Sequence, residues 1–126
     1  MEYIKILIAV LLLITIYNST RKRCLMSEKN MIQKLARQAA RWSTAARQDK
    51  NSMIAVLHAN YGAGYLWALK DIATDNQIED NANIDIKKFE SEITSTQDAV
   101  TKNMAKLCPK YAPTPTYLTA IGGEGN

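Results

Sequence analysis

Cysteine is scarce: Cys24 and Cys108 are the only two in 126 residues. Two distant thiols do not make a disulfide framework, and without a CxxC or a Cys/His cluster there is no ligand set for structural zinc. Histidine is scarcer, since His58 stands alone. One histidine without a nucleophile motif supports no Ser/His/Asp order, and the acidic residues form no Glu/His pair at i, i+3 for a carboxylate metal site. His58 is expected to pack within or between helices. Gly62 and Gly64 follow no strand pattern and precede no Lys-Ser/Thr, which sets aside a phosphate-cradling loop. The expected catalytic, cofactor-binding and metal-ligating sets are therefore empty. Length bounds the rest: without an anchor and a Pro/Gly-rich tail, a compact part of roughly 80 residues remains, too small to be more than marginal alone.

Charge is missing from one place above all. Ile6 to Tyr17 reads ILIAVLLLITIY, twelve residues without a charged side chain. Tyr3 and Ile4 extend it past Lys5, whose long side chain can snorkel to lipid headgroups. Residues 1–20 approach the length that spans about 30 Å of hydrocarbon. The spacing predicts a membrane anchor in which Ile6, Leu7, Leu11, Leu12, Ile14 and Tyr17 face lipid. A cleaved signal peptide competes with it, but Arg21, Lys22 and Arg23 follow the apolar run rather than precede it, and no A-x-A-like site closes it. Asn18-Ser19-Thr20 matches a glycosylation sequon but lies against the membrane and is read as incidental. Cys24 is set for S-palmitoylation, although a free thiol is the simpler reading.

The charges that are present are unevenly placed. From Arg21 to Lys50 there are nine Lys/Arg against two Asp/Glu, a balance of +7; from Asn51 onward there are six against nine, a balance of −3. Lys/Arg excess marks the cytoplasmic flank of a span, so Arg21, Lys22 and Arg23 predict a body on the cytosolic side.

Behind the anchor the periodicity is helical. Ser27 is a candidate cap for a helix to Gln48, with Ile32, Leu35, Ala36, Ala39, Trp42 and Ala46 on one face. Lys34, Arg37 and Arg41 lie opposite, as a solvated face or a surface for lipid phosphate or an acidic partner. Aromatic residues are not interleaved with these charges, so direct nucleic-acid binding is not expected. Asp49 or Asn51 opens a second helix, in which Ala59, Gly62 and Ala63 predict either a break or the close approach of another backbone. Thr74 and Asp75 cap a short turn through Glu79, and 81–83 read as a loop. Asp85 opens a third helix with Ile86, Phe89, Ile93, Gln97, Val100, Met104 and Leu107 as its seam. Cys108-Pro109 ends it, and the tail carries Pro113, Pro115, Gly122, Gly123 and Gly125. The expected fold is all-α: an N-terminal transmembrane helix over 1–20, a small antiparallel three-helix bundle over 21–108, and an extended tail over 109–126. Tyr117, Leu118 and Ile121 are the tail's apolar handles for a partner.

Two segments, HANYGAGYLWALKDIA (His58 to Ala73) and KLCPKYAP (Lys106 to Pro113), carry a resemblance that spans about Leu35 to Gly123. They resemble short membrane-anchored virion proteins of nucleocytoplasmic large DNA viruses of algae. The resemblance implies a minor capsid protein located between an internal virion membrane and a shell of jelly-roll major capsid proteins. Its partners would be the lipid bilayer and capsid proteins, with no small-molecule substrate and no cofactor. The membrane in such particles comes from host endoplasmic reticulum and the capsid grows on its cytosolic face, the side that Arg21 to Arg23 predict for the body. Three other classes stay open: a membrane-remodelling or entry protein, a small enzyme pairing His58 with a carboxylate such as Asp71, and a membrane adaptor.

Overall fold

A computed structural model describes residues 1–111. The described chain is all-helical: α1 (Glu2–Gln48), α2 (Ser52–Ile72), α3 (Asp75–Ala82) and α4 (Ile86–Leu107), then one 3-10 turn, Pro109–Tyr111. The turn replaces the expected extended start of the tail. Tyr117, Leu118 and Ile121 lie outside the described residues.

α1 differs most from expectation. The anchor and the first helix of the body are one uninterrupted helix of 47 residues, and Ser27 lies within it rather than capping it. No glycine or proline occurs before Gly62, so nothing breaks the backbone ladder between the apolar segment and the body. A serine can cap a helix only where the preceding residues leave it.

The remaining helix starts follow their side chains. Asn51 Oδ1 accepts from the amides of Met53 and Ile54. Thr74 and Gln77 form a reciprocal capping box that opens α3, where the sequence predicted only a turn. Asp85 accepts from the Lys88 amide. Asn83 ends α3 in the left-handed conformation (φ 55°), which asparagine tolerates better than most residues.

α2 returns along α1, and α4 returns along α2. The second return is marked by contacts from Lys70 to Glu90, Asn60 to Gln97 and Ser52 to Asn103. The core has two textures. Near α3 it is made of large side chains, with Ile32, Leu66, Leu69, Ile78 and Ile86 fully buried. Toward the α1–α2 turn it becomes a seam of small residues: Ala39, Ser43 and Ala46 from α1 with Ala55, Ala59 and Gly62 from α2, all buried. A β-carbon on Gly62 would lie 3.0 Å from the Ser43 amide nitrogen and 3.2 Å from the Ala39 carbonyl oxygen. Gly62 therefore permits a close approach of backbones, and the helix does not break there.

Candidate functional site

The apolar end of α1 is the feature that the packed body does not explain. This helix is long and apolar enough to cross a membrane, and among the described residues none of its apolar window is buried. Ile6, Leu7, Leu11, Leu12, Ile14 and Tyr17 are each at least half exposed, on every side of the helix. Such a surface is unfavourable in water at about 25 cal/mol per Å². Its two threonine hydroxyls are satisfied within the helix: Thr15 donates to the Leu12 carbonyl and Thr20 to that of Ile16. Tyr3 and Tyr17 stand near the two ends of the run, the positions interfacial aromatics favour.

The basic flank follows without a bend. Arg21, Lys22 and Arg23 are exposed on successive positions of the same helix and so point in three directions around it. One turn on, α3 meets α1: Gln77 donates to Glu28, and Gln33 donates to the Asn81 carbonyl. The groove between them is lined by Arg21, Lys22 and Lys29 over an apolar floor of Leu25 and Met26. Cys24 is exposed beside it.

At the opposite end of the body, Asp49, the C-cap of α1, lies 2.7 Å from Nδ1 of His58 through Oδ2. The imidazole is tilted against Trp42 at 4.9 Å, and Tyr61 meets Trp42 edge-on at 5.4 Å. Sequence spacing had offered Asp71 as a carboxylate for His58. Asp71 is thirteen positions along the same helix, about 20 Å away at 1.5 Å per residue. The pair formed with Asp49 ties α2 to the end of α1. Among the described residues the ring makes no hydrogen bond to a hydroxyl or thiol that a His–Asp pair could activate. Nor do three His, Cys, Asp or Glu side chains converge there as a metal site.

Two further links join the helices. Arg47 donates to Thr96 Oγ1 at 2.8 Å and to Glu92 Oε2 at 2.9 Å, holding α1 to α4. Lys70 donates to Glu90 at 2.5 Å. That hydrogen bond, aided by the charges of Glu90 and Asp75 and opposed by desolvation, raises the Lys70 pKa above the ordinary lysine value. Thr96 and Ser43 are buried polar residues that the hydrophobic pattern did not mark. A strict heptad count through Ile32, Ala36 and Ala39 would have found Ser43. Against family models, curated proteins and solved structures, the chain has no match.

Proposed function

We propose that this chain is a membrane-anchored minor capsid protein that ties an internal virion membrane to the capsid shell. In this reading an antiparallel three-helix bundle stands on one transmembrane helix, and an extended arm beyond it reaches the shell through Tyr117, Leu118 and Ile121. The bilayer and capsid proteins are its partners. Its work is mechanical, with no substrate or cofactor.

The observation that carries the proposal is the continuity of α1. A helix that crosses the bilayer and continues into a packed body is a strut rather than a tether. The 28 residues from Arg21 to Gln48 reach about 40 Å above the lipid at 1.5 Å per residue. The described chain ends beyond Asn103, beside Ser52, at the end of the body away from α3. The remaining C-terminal residues therefore start from the end that faces away from the bilayer.

The strut also sorts the basic residues. Arg21, Lys22 and Arg23 stand at headgroup level, where each contributes about 1 kcal/mol of attraction to anionic lipid. Lys34 to Arg41 stand about 20 to 30 Å higher, well beyond the screening length of roughly 8 Å. They are thus available to an acidic protein surface rather than to lipid.

Detergent extraction of purified virions, with mass spectrometry of the capsid and lipid fractions, tests the proposal. It predicts that the chain stays with capsid fragments or divides between both fractions. Recovery wholly with lipid would favour the remodelling or entry reading, and absence from virions would end the capsid role.

A further inference from the structure

From Asn51 through Leu69 the chain contains no Asp, Glu, Lys or Arg, yet α2 is buried over only part of its circumference. Its inner side, including Ala59, Gly62, Leu66 and Leu69, lies in the core. On the outer side Ile54, Leu57, Tyr61, Tyr65 and Ile72 follow at helical spacing and remain 36 to 47% exposed. A helix that is apolar all round belongs in an interior, and one continuous exposed apolar face marks an interaction surface.

Gly64 sits near the middle of this stripe, with Ala68 one turn further on. The two glycines of α2 meet opposite surroundings. Gly62 is required by the backbone of α1, whereas a β-carbon on Gly64 would meet nothing within 4 Å among the described residues. Glycine in a helix interior is disfavoured relative to alanine, and no contact among the described residues calls for it at 64. A small-xxx-small pair such as Gly64 and Ala68 lets a helix from outside the chain approach closely.

We infer that this face is the interface of a parallel two-fold dimer of the chain, with α2 crossing α2 at Gly64. Area supports a second copy as the occupant. The exposed parts of the five large side chains, with Gly64 and Ala68, amount to roughly 500 Å² per copy, so a pair buries about 1,000 Å², the size at which specific interfaces begin. Charge supports it too: a stripe without ionic groups meets its own copy without repulsion. Gly64 lies close to midway between Ile54 and Ile72, so helices that cross there keep apolar residues of the stripe on both sides of the crossing point. The parallel sense rests on the membrane reading, because chains anchored by α1 in one bilayer stand the same way up. The interface itself does not depend on that reading. Confinement to a membrane raises the effective concentration of the second copy.

Two arms test this on the full chain. In detergent, sedimentation equilibrium reads dimerisation without reference to a bilayer. The expected result is a monomer–dimer equilibrium that Gly64→Leu weakens tenfold or more, the effect of losing one close helix contact. The circular dichroism of the variant should stay unchanged, since the space it fills is open. In vesicles, a Cys24→Ser, Cys108→Ser background carrying Ala68→Cys should oxidise to a disulfide-linked dimer, because residues near a parallel two-fold axis face their own copies. The same background with Asp98→Cys, on the exposed side of α4, should not. A chain that stays monomeric in detergent overturns the interface, as does a dimer indifferent to Gly64→Leu, which would be held by the anchor instead. Dimers in detergent without the Ala68→Cys cross-link in vesicles would overturn the parallel arrangement. Cross-linking of Ala68→Cys only to a different protein in virions would assign the face to that partner.

Discussion

Ser43 is buried against Gly62, and among the described residues its hydroxyl has no hydrogen-bond partner. An unsatisfied buried hydroxyl is unfavourable by about 1 to 3 kcal/mol, so Ser43→Ala should raise the unfolding free energy by roughly 1 kcal/mol. Gly62→Ala should do the opposite. Its β-carbon would clash with Ser43 Oγ and lie close to backbone atoms of Ser43 and Ala39. Overpacking of this kind destabilises by about 1 to 3 kcal/mol. Ser43→Ala in the same chain should recover only part of that loss, because the backbone clashes remain; denaturant melts of the three variants check the order. Lys70 gives a prediction in pH. Its folded pKa is raised, so the pair with Glu90 stabilises fully below the unfolded lysine value, about 10.4. That stabilisation is lost as pH rises through the higher folded value. Melting temperature followed into the alkaline range should fall less steeply in Lys70→Met than in the parent chain.

Among the elements, the helix starts were the most legible. Asn51, Thr74 and Asp85 are short polar side chains standing just before helical patterns, and each caps where it stands. The continuity of α1 was legible in principle, since no glycine or proline occurs before Gly62, but Ser27 resembled a cap and drew a boundary that the backbone does not observe. Other features depend on tertiary packing. Which carboxylate reaches His58 is decided by the turn between α1 and α2, and Thr96 is buried because Arg47 crosses to it from α1. Leu107 had been placed on the seam of α4 but is 62% exposed, because α4 runs on past Asn103, which lies beside Ser52 near the start of α2. Leu25→Pro tests the strut. Proline inside a helix removes a backbone bond and costs about 3 kcal/mol or more, and Leu25 precedes the first buried residue, Ile32. The body should melt as in the parent chain. In a Cys24→Ser background, a fluorophore on Cys108 should lie at one narrow distance from labelled lipid and at a broad range of distances after Leu25→Pro. An equally broad range in the parent chain would show that α1 is not rigid across the membrane surface.

At the scale of the whole molecule, an apolar helix end, a basic collar and a packed body occur in sequence along one axis. Each makes sense if lipid surrounds the first and phosphate the second. The body then stands clear of the surface, with one uncharged face of α2 turned outward for a second copy. Particle fractionation and the parallel sense of the dimer both presuppose insertion with the body on the cytosolic side. The most direct measurement is therefore synthesis of the full chain on microsomes, followed by alkaline carbonate extraction and protease digestion. The account predicts a carbonate-resistant chain whose residues from about Ser27 onward are digested away, leaving a short anchor fragment in the membrane. Release by carbonate, or an intact body protected inside the vesicle, would contradict it.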